Sequence, residues 1–283
     1  MDHGHEGVLE RGHLTNHCLL IETPVSGLVL VDTGYGLKDV HHPHNRLSEF
    51  FLKMVSPDFR EEMTAIRQIE KLGFNPKDVR HIILTHLDFD HAGGLDDFPW
   101  ATVHLLQSEK ENALLQDTWL DRQRFRPQQW GTIKNWKIYQ AGEGESWFGF
   151  NRVHALEGLP TDIALVPLIG HTLGHCGVAV RKDDKWLFNT GDAYFFHQEM
   201  NVNNPYCTPG LMLYQTMMEK DRSSRLWNQK RLRALKRHHH EIEIFCSHDT
   251  TEFERLANRS ANLPPEEFIR IRNDMMDSYN LFE

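Results

Sequence analysis

Four short apolar runs in this chain each end in side chains that bind metal ions, and that arrangement restricts the fold more than any other feature. The run 79–85 stops at HLDFDH, placing His86, Asp88, Asp90 and His91 within six residues. The run 163–170 ends in Gly170-His171, inside GHTLGH. The run 185–190 ends in Gly191-Asp192, and 242–246 ends in Ser247-His248-Asp249. Apolar segments of this length, bounded by Gly and polar residues, read as strands. A strand end holds a ligand rigidly, while the loop beyond leaves an ion open to substrate. One histidine after a strand is usually an ordinary surface residue. Four strand ends carrying His or Asp point to a shared metal site.

The other elements are consistent with a layered fold. HCLLIE (17–22) and LVLVDTG (28–34) read as a hairpin or adjacent strands around Pro24 and Gly27. The segment 35–60 carries Phe50, Phe51, Leu52, Met54 and Val55, too apolar for a free loop, so a short helix or lid is expected. EEMTAIRQIEKLGFNP (61–76) predicts a helix with Met63, Ile66, Ile69 and Leu72 on one face and Gly73 and Pro76 at its end. Further strands are expected at 101–107, 136–140, 152–156 and 176–182. Helices are expected at 108–116 with Ser108 as cap, at 209–220, 222–239 and, with prolines in its first turn, 264–279. The stretch 117–150, rich in Trp, Gln and Arg, carries no clear pattern. Each half of the chain runs strands then helices without a fixed repeat, which favours a single layered domain over 1–283, with its core at about 17–257.

Composition excludes some functions. A chain of 283 residues buries an ample core, and a net charge of -9 argues against nucleic acid, whose phosphates need a basic face. No apolar stretch approaches a membrane span, and the polar start MDHGHEGVLERG has no leader-like apolar region, so a cytoplasmic location is expected. Four cysteines (Cys18, Cys176, Cys207, Cys246) without a CxxC pair fit reduced, mostly buried thiols. Of the 19 histidines, those in HHPH (41–44) and HHH (238–240) read as polar surface, because adjacent helical side chains diverge.

HLDFDHAGGL, GHTLGH, TGDA and FCSHD, in that order and preceded by LVLVDTGYG, resemble the metallo-β-lactamase superfamily, and most of all its N-acyl-homoserine lactonase branch. The similarity spans about residues 17–257. It implies an α/β (α+β) fold, a four-layer αββα sandwich, with two divalent metals in a cleft at one edge of the sheets. Carried over by position, His86, His171 and residue 88 hold the first metal. Asp90, His91 and His248 hold the second, and Asp192 bridges them. Zn²⁺ fits such mixed ligation best, with Mn, Fe or Co admissible, especially beside Asp88. Asp32 is expected to support the ligand loop by hydrogen bonds, and His175 either to do so or simply to be buried.

Two positions depart from the family pattern. Asp88 stands where a histidine belongs. A carboxylate oxygen reaches as far from Cβ as the Nδ1 through which the family histidine ligates, so Asp88 either ligates or makes a hydrogen bond behind the ligands. The family's lactonases carry a tyrosine three residues after the bridging aspartate. Here that residue is Phe195, while Tyr194 lies one earlier and is the candidate proton donor.

The resemblance implies a quorum-quenching type of hydrolase, with Asp90, Asp192 and Tyr194 as catalytic groups. A metal-bound hydroxide would open a lactone or cleave a carboxylic ester. The partner is then a small molecule, with the apolar segments 47–55 and 195–214 walling a pocket for a chain or ring, and a homodimer is admissible. A thioester, phosphodiester, organophosphate or β-lactam substrate stays open, as do a mononuclear iron oxygenase and a non-catalytic binding protein.

Overall fold

Alternation of side chains along each strand decides what each face of the two sheets meets. In a computed structural model, which describes residues 13–140 and 144–261, the first sheet runs β1 (Leu19–Thr23), β2 (Gly27–Val31), β3 (Val79–Ile83), β4 (Thr102–Leu106) and β5 (Trp136–Tyr139) in that spatial order. The second contains β6 (Glu145–Trp147), β7 (Phe150–Ala155), β8 (Ile163–Pro167), β9 (Cys176–Lys182), β10 (Lys185–Asn189) and β11 (Ile242–Phe245), ordered β11-β10-β9-β8-β7-β6. On β2, Val29 and Val31 face the second sheet, meeting Ile163, Leu165, Cys176 and Val178 in one buried cluster. Leu28 and Leu30 face the opposite way, against Ile69, Ala113, Phe125 and Trp130 from surrounding helices and loops. Ala164, Val166, Phe188, Ile242 and Ile244 of the second sheet likewise turn outward onto Leu232 and Leu235 of the helix Arg222–His238. Three apolar layers between four structural layers make the αββα sandwich. Each fully buried Val, Leu or Ile in them contributes roughly 1.5–3 kcal/mol.

Strand direction brings the candidate metal-binding residues together. From β2 to β5 all pairings are parallel. In the second sheet β8 and β10 are both antiparallel to β9, and β11 is parallel to β10, so β8, β10 and β11 share one direction. The carboxyl ends of β2, β3, β8, β10 and β11 therefore carry Asp32, His86, His171, Asp192 and His248. The sheets are tied at this edge, where Cys176 N–H donates to the Thr85 carbonyl (3.0 Å), and within the second sheet Ser247 N–H donates to the Gly191 carbonyl (3.1 Å), joining the ends of β10 and β11.

Several expected elements change on folding. The helix 61–76 divides into a 3₁₀ turn (Glu61–Met63) and a helix Ala65–Lys71, because Thr64 is extended and its hydroxyl donates to the Glu61 carbonyl at 2.7 Å. Ser108 caps nothing; β4 runs directly into the helix Gln107–Leu115, with Leu106 at the cap position. The segment 35–60 holds three short helices, Leu37–His41, Pro43–Arg46 and Glu49–Val55. The stretch 117–150 supplies helices Trp119–Arg124 and Pro127–Trp130. The tail helix expected at 264–279 lies outside the described residues.

Between neighbouring strands, His104 Nε2 lies 2.9 Å from His81 Nδ1 and its Nδ1 2.8 Å from the Tyr139 hydroxyl. Burial, reinforced by the His81 and Lys137 charges, lowers its pKa to about 3. The unfolded chain thus takes up a proton near pH 6.5 that the fold refuses until about pH 3, so stability is lost as pH falls through that window. His104→Gln, which keeps a polar side chain without the titration, is expected to shrink the stability loss between pH 7 and pH 5 by about 2 kcal/mol. Urea unfolding of both proteins at the two pH values checks this; equal losses would contradict it.

Candidate metal centre

The loop after β3 delivers His86, Asp88, Asp90 and His91 into one space, and hydrogen bonds set each ring before any ion is considered. Thr85 anchors the loop: its N–H and hydroxyl both donate to Asp32, each at 2.8 Å. With its proton spent there, the Thr85 oxygen accepts from His86 Nδ1 (2.9 Å). His91 Nδ1 donates to Asp32 Oδ2 at 2.9 Å, and His248 Nδ1 donates to the Thr15 carbonyl at 2.8 Å. All three Nδ1 atoms point backward and all three Nε2 atoms point inward, the arrangement by which a carboxylate or carbonyl fixes the tautomer of a metal-binding imidazole. Asp32 thus supports the loop, as expected from the sequence.

Asp192 occupies the centre. Its carboxylate lies 3.1 Å from His248 Nε2, 3.3 Å from His91 Nε2, 3.4 Å from His171 Nε2 and 3.8 Å from His86 Nε2. His175 does have a function behind it: Nδ1 donates to the Leu168 carbonyl (2.9 Å), leaving Nε2 to accept the Asp192 N–H at 2.8 Å. Burial holds His175 down at about 3, so it stays neutral and able to accept. Glu109, missed in the sequence, reaches from the helix Gln107–Leu115 to accept from Leu87 N–H (2.9 Å), Gly174 N–H (3.2 Å) and the Thr172 hydroxyl (2.5 Å), clamping two ligand loops together.

Three sets of donor atoms converge closely enough to hold an ion: His86, Asp88 and His171; His86, His91 and Asp192; and Asp90, His91 and His248. Among the described residues, His86 Nε2, His91 Nε2 and Asp192 Oδ1 are buried without a hydrogen-bond partner. Orphaned buried polar atoms are costly, and these three belong to one set. The electrostatics agree. Burial opposes charge on His91 and His248, yet Asp192 and Asp90 push both above the ordinary histidine range. Burial also opposes charge on Asp192, but His248, His91, His86 and His171 hold it well below the carboxylate range. The cluster draws in positive charge, and its residues fit a divalent metal.

Asp88 joins His86 and His171, but a fourth group is present. Arg124, fully buried at the end of the helix Trp119–Arg124, forks onto the Asp88 carboxylate through Nε (2.7 Å) and Nη2 (2.5 Å). Burial would raise the Asp88 carboxyl, but Arg124 and then His86 hold it well below its usual range. Thr118 and Asp121 form a capping box that starts this helix, and Phe125 bridges to Asp88. The Thr-x-x-Asp spacing was the sequence signal for that helix, inside the stretch left unassigned.

Tyr194 does not reach the cluster, and this corrects the expectation for it. Its ring is buried in the layer beneath the second sheet and its hydroxyl donates to Glu252 at 2.9 Å. Phe195 points the opposite way and stacks on His248, centroids 5.0 Å apart at 14°. Against Phe195 packs Tyr214, from the helix Pro209–Met218, at 5.5 Å. Burial first, then the Asp90, Asp192 and Asp88 charges, raise the Tyr214 phenol well above its ordinary value. Tyr35, from the loop after β2, feels Asp90 and Tyr214 in the same way. Both phenols belong to an apolar cluster with Leu47, Phe51, Phe89 and Met217, so the segment 47–55 packs over the ligand side of the fold.

A family model described as the metallo-beta-lactamase superfamily matches residues 11–233. The chain belongs to that superfamily. A probable metallo-hydrolase of Mycobacterium tuberculosis is 39% identical over 236 residues, covering 82% of this chain and 74% of that protein. An N-acyl homoserine lactonase of Bacillus cereus is 33% identical over 115 residues, 40% of this chain and 46% of the lactonase. Among solved structures, an N-acyl homoserine lactone hydrolase with N-hexanoyl-L-homoserine at its catalytic metal centre shares the fold. It has a TM-score of 0.64 and 24% identity, covering 86% of this chain and 84% of that one. No helix among the described residues is long and apolar enough to cross a membrane.

Gly191 sets where Asp192 stands. It adopts φ +54°, and a Cβ there would lie 2.5 Å from His175 Nε2 and 3.0 Å from Thr85 Cβ. Gly191→Ala is expected to cost roughly 2 kcal/mol or more, because it adds backbone strain to a displaced histidine. An unchanged urea-unfolding midpoint would show that the close approach is relaxed without penalty.

Proposed function

We propose that this metal-dependent hydrolase opens a lactone or cleaves a carboxylic ester, with His86, Asp90, His91, Asp192 and His248 as its principal metal ligands. The observation that carries the reading is the convergence of unpartnered His86 Nε2, His91 Nε2 and Asp192 Oδ1 on one buried space. A divalent ion there, Zn²⁺ being the best match to mixed imidazole and carboxylate donors, supplies Lewis acidity toward water and a substrate carbonyl.

The chain's own residues supply the rest. Asp90 is the most open carboxylate of the cluster, its side chain 16% exposed against 4% for Asp192. That openness suits a group that takes a proton from the attacking water and returns it to the leaving oxygen. Asp192 is locked by its backbone bond to His175 and acts as a fixed anion rather than a proton carrier. The Tyr214 phenol keeps its proton at neutral pH and is the hydrogen-bond donor for the carbonyl or leaving oxygen, in the role expected of Tyr194. Tyr35, Phe51, Phe89 and Met217 form an apolar wall beside it, which suits a substrate with an acyl chain or ring.

Hydrolysis of at least one member of a panel of lactones, esters, thioesters and phosphodiesters is expected, lost on chelation and regained with Zn²⁺, Mn²⁺ or Co²⁺. Inactivity across the panel with all three metals, or one iron per chain with oxygen uptake, would overturn the proposal. Tyr214→Phe should lower kcat by ~10²-fold on the best substrate while metal content stays unchanged. Tyr194→Phe should leave kcat within about twofold, its lost bond to Glu252 appearing as reduced stability instead.

A further inference from the structure

The space that the superfamily pattern gives to a first metal is bounded by His86, Asp88 and His171, and Arg124 reaches into it. Nη2 of Arg124 is 2.5 Å from Asp88 Oδ2 and 2.8 Å from His171 Nε2. Because a guanidinium only donates, His171 Nε2 must be the acceptor, and its lone pair is committed to Arg124 rather than free for an ion. His171 Nε2 also lies 3.0 Å from the same Asp88 oxygen, and the two hydrogens of Arg124 Nη2 serve one of these atoms each, so both donor atoms an ion would need face the guanidinium instead.

The guanidinium has no hydrogen left over. Nε donates to Asp88 Oδ1 at 2.7 Å, Nη2 to Asp88 Oδ2 and His171 Nε2, and Nη1 to the carbonyls of His171 (3.4 Å) and Met218 (2.5 Å). All five donors are used, so Arg124 offers none to a substrate, and it is built in as a structural cation. Removing a buried partner of this kind leaves an uncompensated charge. Displacement by a metal would therefore have to break five hydrogen bonds. The second group differs: His91 Nε2 and Asp192 Oδ1, like the neighbouring His86 Nε2, have no hydrogen-bond partner, and no Lys or Arg is paired with Asp90 or Asp192 among the described residues.

We infer that Arg124 stands in place of the first metal, paired with Asp88, and that the chain holds one divalent ion, in the group formed by His86, Asp90, His91, Asp192 and His248. The substitution of aspartate for the family's histidine at position 88 then has a physical purpose. A neutral imidazole cannot balance a buried guanidinium, whereas a carboxylate accepts it bidentately. The inference rests on the metal reading of the cluster and is independent of the substrate.

The test is metal content, measured on the full chain loaded with excess Zn²⁺ or Co²⁺ and dialysed. One ion per chain is expected in the wild type. His248→Ala should drop to near zero, while His171→Ala keeps one. Asp88→His combined with Arg124→Ala removes the anion and its cation together. It should take up a second ion and, loaded with Co²⁺, show the spin-coupled signal of a metal pair that the wild type lacks. Two ions in the wild type would overturn the inference while leaving the hydrolase reading intact; no ion at all would overturn both. One ion that His171→Ala loses and His248→Ala retains would also overturn it. If the double variant does not fold by circular dichroism, the wild-type count and the two single variants still decide.

Discussion

A carboxylate surrounded by four imidazoles in a water-poor space is the constraint on which the site depends. Asp192 approaches four histidine Nε2 atoms within 3.1–3.8 Å, while Asp88 and Asp90 lie close by. So many ionisable groups remain buried together only if their charges balance and their second hydrogen-bonding atoms are satisfied elsewhere. The surrounding structure meets the second condition for three of the four rings. Asp32, Thr15 and Thr85 take the outward nitrogens of His91, His248 and His86. Glu109 and His175 fix the backbone of the loops that carry the ligands, and Gly191 gives His175 the room to do so.

The two halves of the cluster balance their charge differently. Around Asp88 the compensating cation is part of the chain. Around Asp90 and Asp192 the chain supplies only histidines, which the carboxylates pull toward protonation. A fixed guanidinium on one side and a divalent ion on the other would let this scaffold work with a single exchangeable metal. The apolar side chains of Tyr35, Phe51 and Phe89 close over the same edge, lowering the local dielectric and strengthening both pairings.

Much of this was legible in the residues. The strand runs at 79–85, 163–170, 185–190 and 242–246 were visible because a buried strand must be apolar over several residues. Their polar terminations named His86, Asp90, His91, His171, Asp192 and His248. Thr64 escaped notice because one extended residue interrupts a helix without disturbing its apolar spacing. The stretch 117–150 was opaque because its helices are only six and four residues long, too short for periodicity to show. Tyr194 was misplaced because strand-like alternation near a turn leaves two neighbouring rings equivalent in sequence; the sheet puts Phe195 at the site and Tyr194 in the core.

Residue patterning alone was enough to read the layered fold, the edge at which the candidate ligands gather and which residues most of them are, because strand patterning and polar strand ends are local properties. What faces Asp88, which phenol approaches the cluster and which ring nitrogen turns toward Asp192 depend on packing between distant elements. Arg124 lies 36 residues from Asp88 and Tyr214 comes from a helix beyond the last ligand but one. Those contacts depend on how separate elements pack, and pairings made across packed layers leave no periodic trace along the chain.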